Sequence, residues 1–210
     1  SYRAGVERFF FVSSATTYPP ADYPIKEEEV MSGDPYSTYF GVGWMKRYTE
    51  ILAQFYHKNK MMKIAIVRPA NIYGIQGDFT DETGHVLPAL IRRALEKQTP
   101  YIVWGNPNVV RDFTHSVDMA RACLDVVEKH AVCDPINIAS GNLVTIGESV
   151  DLILKHANHD VKPEYDETKP VTIQYRALDT TKAKDVIGYE PTISFEDGIQ
   201  ETVEWIKENM

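Results

Sequence analysis

Short apolar runs alternate along this chain with longer stretches whose hydrophobic residues recur at helical spacing. ERFFFVSS, residues 7–14, is β-branched and aromatic and ends in small polar residues, which predicts a buried strand opening into a loop. A polar, Pro-containing stretch follows, and residues 39–58 then carry a helical pattern. KIAIVRPANIYG at 63–74 predicts a second strand stopped at Pro69, where the backbone loses a donor. HVLPALIRRALEK predicts a helix after its Pro, YIVWG a short strand and HSVDMARACLDVVEKH an amphipathic helix. PINIAS predicts another strand, and TIGESVDLILKHA and FEDGIQETVEWIKENM two more helices. Such alternation implies an α/β architecture built on a mainly parallel sheet. Gly, Asp and Thr cluster near residue 75, which predicts a passage there from a sheet core (1–74) into a smaller lobe (75–210), from which some elements return to the core.

Composition narrows the picture. With 210 residues and 43% hydrophobic content the chain can bury one sizeable core, or one core and a satellite. No apolar run approaches the roughly 18–20 residues that span a bilayer, and the N-terminal SYRAGVERFFFVSS lacks the layout of a signal peptide, so a cytoplasmic location without membrane association is expected. Cys123 and Cys133 suggest neither a disulfide framework nor a zinc site. The histidines outside position 85 show no HExxH-like spacing, and no metal is expected. A net charge of −8 argues against nucleic-acid binding, so an anionic ligand has to be held by a local cluster of donors.

A dinucleotide-binding half begins with a strand, a Gly-rich turn and a helix whose N-terminus receives the pyrophosphate. The sequence contains no such turn, for Gly41 and Gly43 lie inside a helical pattern. The chain reads like the second part of a larger protein.

Taken in order, VSSATTYP, WMKRYTE, RPANIYG, HVLPALIRR, VWGNPNVVRDFTHSVDMA, NIASG and LDTTKAKDVIGYEP resemble the extended short-chain dehydrogenase/reductase family. Among its members the chain is most similar to NAD-dependent nucleotide-sugar epimerases and dehydratases, including those like GDP-fucose synthase. The resemblance implies the C-terminal part of a Rossmann-like parallel sheet with a smaller α/β substrate-binding lobe, lacking roughly 100 residues that would carry the cofactor loop. It implies NAD or NADP as cofactor, a nucleotide sugar as ligand and a homodimer formed through the helix that carries Trp44 and Tyr48.

By the same resemblance Ser14 is the catalytic hydroxyl that hydrogen-bonds the reacting sugar oxygen. Thr16 stands where fucose-synthase relatives carry a Cys used in epimerisation. Lys46 holds the nicotinamide ribose and assists catalysis, with Glu50 one turn on keeping its register. Pro69 places backbone against the nicotinamide. Asn71, His85, Val86, Arg111 and Arg176 line the substrate site, with Arg111 as a diphosphate clamp because a guanidinium matches phosphate oxygens with a planar fork. Asp118 is expected to be structural.

One position breaks the family pattern. The proton-donating Tyr belongs one helical turn before the Lys, on the same face, and Val42 stands there. Tyr39 lies seven residues before Lys46, about 10 Å along a helix, which leaves it a poor substitute unless it precedes the helix and folds back. Loss of a general acid costs ~10²- to 10⁴-fold, so little or no oxidoreductase turnover is expected. A non-catalytic nucleotide-sugar binding protein is the alternative, and a ligand-free product of a truncated gene a third.

Overall fold

The computed structural model describes residues 1–75, 77, 86–169 and 173–210. Strand β1 (Arg8–Val12) pairs in parallel with β2 (Lys63–Pro69), and β2 in parallel with β6 (Ile136–Ile138). Helix α1 (Phe40–Lys60) connects the first two strands, as parallel neighbours require of a crossover. β2 is buried over six of its seven residues, which is why its sequence is nearly continuously apolar instead of alternating. Helices α3 (Ser116–Lys129) and α5 (Thr181–Ile187) cover one face through a core of Ala65, Val67, Ala122, Val126, Ile136, Ile138 and Ile187.

A second layer is built around β5 (Val110–His115), which pairs in parallel with β3 (Asn71–Tyr73) and with β9 (Tyr175–Arg176), and antiparallel with β7 (Leu143–Thr145). Strands β4 (Tyr101–Trp104) and β8 (Pro163–Asp166) form a parallel pair of their own. Helices α2 (Val86–Leu95), α4 (Ile146–His156) and α6 (Phe195–Asn209) close over this lobe, burying Leu90, Ile91, Val150, Ile153, Ile199 and Val203 together. Helix α4 begins in a capping box: Thr145 Oγ1 accepts from Glu148 N at 3.1 Å, and Glu148 Oε2 accepts from Thr145 N at 2.7 Å.

The apolar runs and helical patterns named above become β1, β2, β4, β6 and the helices α1 to α4 and α6. Strands β5, β7, β8 and β9 and helix α5 go beyond that reading, because they are short or polar and acquire their form from partners distant in sequence. Helix α1 ends at Lys60, followed by Met61 in the left-handed region at φ 53°. Both cysteines are free, and burial pushes each thiol up to about 11, which suppresses the reactive thiolate. Among the described residues, no helix is long and apolar enough to cross a membrane.

Candidate active site

The loop after β1 is held by a buried polar network. Ser13 N donates to Val67 O at 2.8 Å, extending the β1–β2 ladder by one bond. Its hydroxyl donates to Glu50 Oε1 at 2.5 Å, linking the loop to α1. Glu50 in turn accepts a fork from Arg68 on β2, Nε to Oε1 at 2.9 Å and Nη2 to Oε2 at 2.5 Å. The guanidinium continues to Tyr18 Oη and to Glu27 O, and Tyr18 donates to Asn137 Oδ1 at 2.6 Å. Burial opposes the charge on Arg68, but its hydrogen bonds with Glu50 and its contact with Tyr18 outweigh that and raise its pKa. Glu50 therefore does more than keep the helical register: it joins α1, β2 and the loop. Arg47, 2% exposed, adds a bond from Nε to Thr17 O at 2.8 Å.

So fixed, the loop presents Ser14 and Thr16 to a cleft of about 630 Å³, a size typical of small-molecule sites. Ser14 caps the short turn Ala15–Thr17, its Oγ accepting from Thr16 N at 3.1 Å, and among the described residues its own proton has no acceptor. Pro69, Asn71, Val86 and Arg111 line the same cleft. Asn71 is oriented by a bond from Nδ2 to Asp112 O at 3.1 Å. Arg111 is oriented by a bond from Nη1 to Val110 O at 2.8 Å, and burial lowers its pKa from the ordinary arginine value. The neighbouring Asp112 carboxylate turns to the NIASG loop, accepting from Ser140 N and Oγ and from Gly141 N. Burial raises the Asp112 pKa despite these bonds.

Arg176 is reached through β9, whose register sets it beside Arg111. It lines a recess of about 60 Å³ that shares Ser14, Thr16, Tyr39, Pro69, Asn71 and Arg111 with the cleft. Of the other expected site residues, Lys46 does not line the cleft. Its Nζ donates to Val12 O at 2.7 Å and lies 5.0 Å from the centre of the Phe11 ring, at the carboxyl end of β1. Val42 is 38% exposed and likewise outside the cleft lining, whereas Tyr39 lines it. Tyr39 is the last residue of the turn Ser37–Tyr39 and the N-cap residue of α1, so α-helical geometry does not bind it to the positions of Val42 and Lys46. His85 lies outside the described residues. Asp118 accepts from Thr192 and Ile193 and tethers that loop to α3, while His115 caps the helix.

Two features of the site escaped the sequence reading. Tyr73, Trp104 and Phe113 give the cleft aromatic walls. Trp104 had no signal of its own in the uniformly apolar YIVW, and only the structure separates buried Tyr101 and Val103 from outward-facing Ile102 and Trp104. Thr16, considered above only for epimerisation, lines both cleft and recess.

The donors at the strand ends fit the nicotinamide end of NAD or NADP. Lys46 is an ammonium with three donors, one of which Val12 O accepts, leaving others for a ribose. The sequence supplies no Gly-rich turn for the pyrophosphate.

The sequence model of the NAD dependent epimerase/dehydratase family matches residues 1–139. A putative GDP-L-fucose synthase 2 of Arabidopsis thaliana is 30% identical over the whole chain, which spans 65% of that protein. A GDP-L-fucose synthase of Escherichia coli is also 30% identical over the whole chain and is spanned to 69%. Among solved structures, an NADP-bound GDP-L-fucose synthetase from Naegleria fowleri superimposes with a TM-score of 0.91 at 26% identity, over 99% of this chain and 68% of that one. UDP-glucose 4-epimerase from Thermotoga maritima, bound to UDP-glucose, gives a TM-score of 0.88 at 28% identity over 100% and 66%. The chain thus spans about two thirds of the length of these relatives. The parallel sheet, the serine-bearing loop after β1 and the family match over its first 139 residues agree: this chain belongs to the NAD-dependent epimerase/dehydratase family.

Proposed function

We propose that this chain forms the substrate-binding lobe and serine-bearing loop of an NAD(P)-dependent nucleotide-sugar epimerase, dehydratase or reductase. The convergence of Ser14, Asn71 and Arg111 on one cleft carries this reading. Arg111 would pair with the diphosphate, Asn71 would hydrogen-bond beside it, and Ser14 would donate its uncommitted proton to the reacting sugar oxygen. Lys46 and the backbone after Pro69 would hold the nicotinamide end of the cofactor, which when bound supplies hydride transfer.

Turnover by this chain alone is expected to be slight. Val42 replaces the phenol that the family sets one turn before Lys46, and its side chain can neither give nor take a proton. The alternative, a non-catalytic nucleotide-sugar binding protein, draws support from the same observation. Calorimetric titration with UDP-glucose, GDP-mannose and the four nicotinamide cofactors, alongside absorbance at the reduced-cofactor band, tests both. Sugar-nucleotide binding with negligible turnover supports the proposal, and absence of all nucleotide-sugar binding refutes it.

A homodimer through α1 is part of the proposal. Phe40, Met45, Tyr48, Ile51 and Phe55 on that helix are 52–66% exposed, an apolar face whose burial would favour association. A sedimentation coefficient that stays monomeric at high concentration would contradict it.

A further inference from the structure

The Ala15 carbonyl, between Ser14 and Thr16, accepts from Arg176 Nη1 at 2.8 Å. This engages one end of a guanidinium whose residue is 6% exposed. The other terminal nitrogen, Nη2, is shielded from solvent and has no hydrogen-bond partner among the described residues. No described carboxylate forms an ion pair with Arg176, and its guanidinium sits 5.8 Å from the centre of the Tyr39 ring. Burial lowers the Arg176 pKa, with the Tyr39 and Tyr18 phenols acting the other way. Thr16 Oγ1 is a second shielded atom without a partner among the described residues, and both residues line the recess off the cleft. Buried donors without acceptors are rare in folded proteins and point to a group that completes them.

The recess selects the chemistry of that group. At about 60 Å³ it exceeds the ~10–15 Å³ that a single water requires, and it opens onto the cleft, so it can take one substituent of a sugar whose ring lies in the cleft. A guanidinium nitrogen and a hydroxyl can both donate, so the complement is a compact acceptor with two oxygens, and the cationic charge asks for an anion. Its place beside Ser14 sets that anion at the reacting end of the substrate. We propose that the recess takes a sugar carboxylate, which makes the substrate a nucleoside-diphosphate uronate instead of a neutral hexose. The inference rests on the nucleotide-sugar reading of the cleft and deepens it.

A phosphate oxygen offers the same acceptor chemistry, and the test separates the two. The whole chain is titrated calorimetrically, at one ionic strength, with UDP, UDP-glucose and UDP-glucuronate, and with GDP, GDP-mannose and GDP-mannuronate. Because the chain carries a net charge of −8, its overall field disfavours the additional negative charge, and a uronate preference reports local donors. In one of the two series the uronate should bind about tenfold more tightly than its neutral partner, the value of one charge-assisted contact. Arg176→Gln should abolish that preference, lowering uronate affinity far more than UDP or GDP affinity. Thr16→Val, which keeps the side chain's shape, should reduce the preference and carries the test should Arg176→Gln fail to fold. Equal affinity for uronate and neutral sugar overturns the inference and leaves the nucleotide-sugar reading intact. An Arg176→Gln loss shared equally by the bare diphosphates overturns it too, making Arg176 a diphosphate contact. Binding of none of the six refutes both readings.

Discussion

The backbone of Gly43 on α1 passes so near the Thr16 carbonyl that a Cβ at Gly43 would stand 2.6 Å from that oxygen and 2.5 Å from Pro35 Cβ. A glycine in a helix normally costs stability, and here close approach to the serine-bearing loop is the reason for it. Gly41, two residues earlier, provides the control, because a Cβ there would have nothing within 4 Å. Gly43→Ala should lose about 1–3 kcal/mol through overpacking against backbone. Gly41→Ala should be neutral or gain up to about 1 kcal/mol. Chemical denaturation of both variants measures this, and equal effects would contradict the assigned close approach.

Glu50 and Arg68 lie under the same loop, with side chains 6% and 3% exposed. Glu50→Gln keeps the shape but leaves a buried guanidinium without its charge partner, and it also disturbs the Ser13 bond. Breaking one side of such a pair costs about 3–5 kcal/mol. The expected result is a large fall in the denaturation midpoint with an unchanged slope. A loss below about 1 kcal/mol, the range of exposed pairs, would show that the network contributes little.

Asp112 gives a pH signature of definite sign. Burial raises its folded pKa above the unfolded value of about 3.9, so the folded chain binds the proton more tightly. Its contribution is therefore greatest at low pH and is lost as pH rises from the unfolded pKa through the folded one. Against Asp112→Asn, which does not titrate, the wild-type chain should lose stability over that interval and run parallel above it. Denaturation at a series of pH values checks the relation, and a wild-type advantage that grows with pH across the interval would contradict it.

The centre of the sheet was largely legible, because β2 and β6 lie in runs whose burial their composition predicts, whereas β1, expected to be buried, is an edge strand with Phe9, Phe10 and Phe11 half-buried and Arg8 and Val12 exposed. β5 was not, since its sequence VRDFTH reads as a polar loop. Asp112, Thr114 and His115 are nonetheless buried, and Asp112 is compensated by Ser140 and Gly141, 28 and 29 residues away. Local patterns cannot carry such pairings. Likewise Ser14, Asn71 and Arg111 could be picked from their motifs, but the recess depends on the two-residue strand β9 placing Arg176 beside Arg111. Helix periodicity counted against Tyr39, and a short turn before α1 frees it from that geometry.

Tyr39 and Val42 consequently make different predictions. Tyr39 lines the cleft with Ser14, while Lys46 is engaged with Val12 O outside that lining. Tyr39→Phe should weaken nucleotide-sugar binding about two- to tenfold, the value of one neutral hydrogen bond, without changing cofactor affinity. Val42→Tyr restores a phenol at i−4 from Lys46 on one helix face, where the ammonium stabilises its phenolate. With the cofactor-binding half of a relative supplied, that variant should raise hydride transfer by ~10²-fold or more, the contribution of a general acid. Single-turnover absorbance measurements on Val42→Tyr and on Val42→Tyr/Lys46→Met separate the effect of the phenol from that of its lysine. A gain that survives loss of the lysine would reject the pairing, and no gain in either would reject the register that sets Val42 at the acid's position.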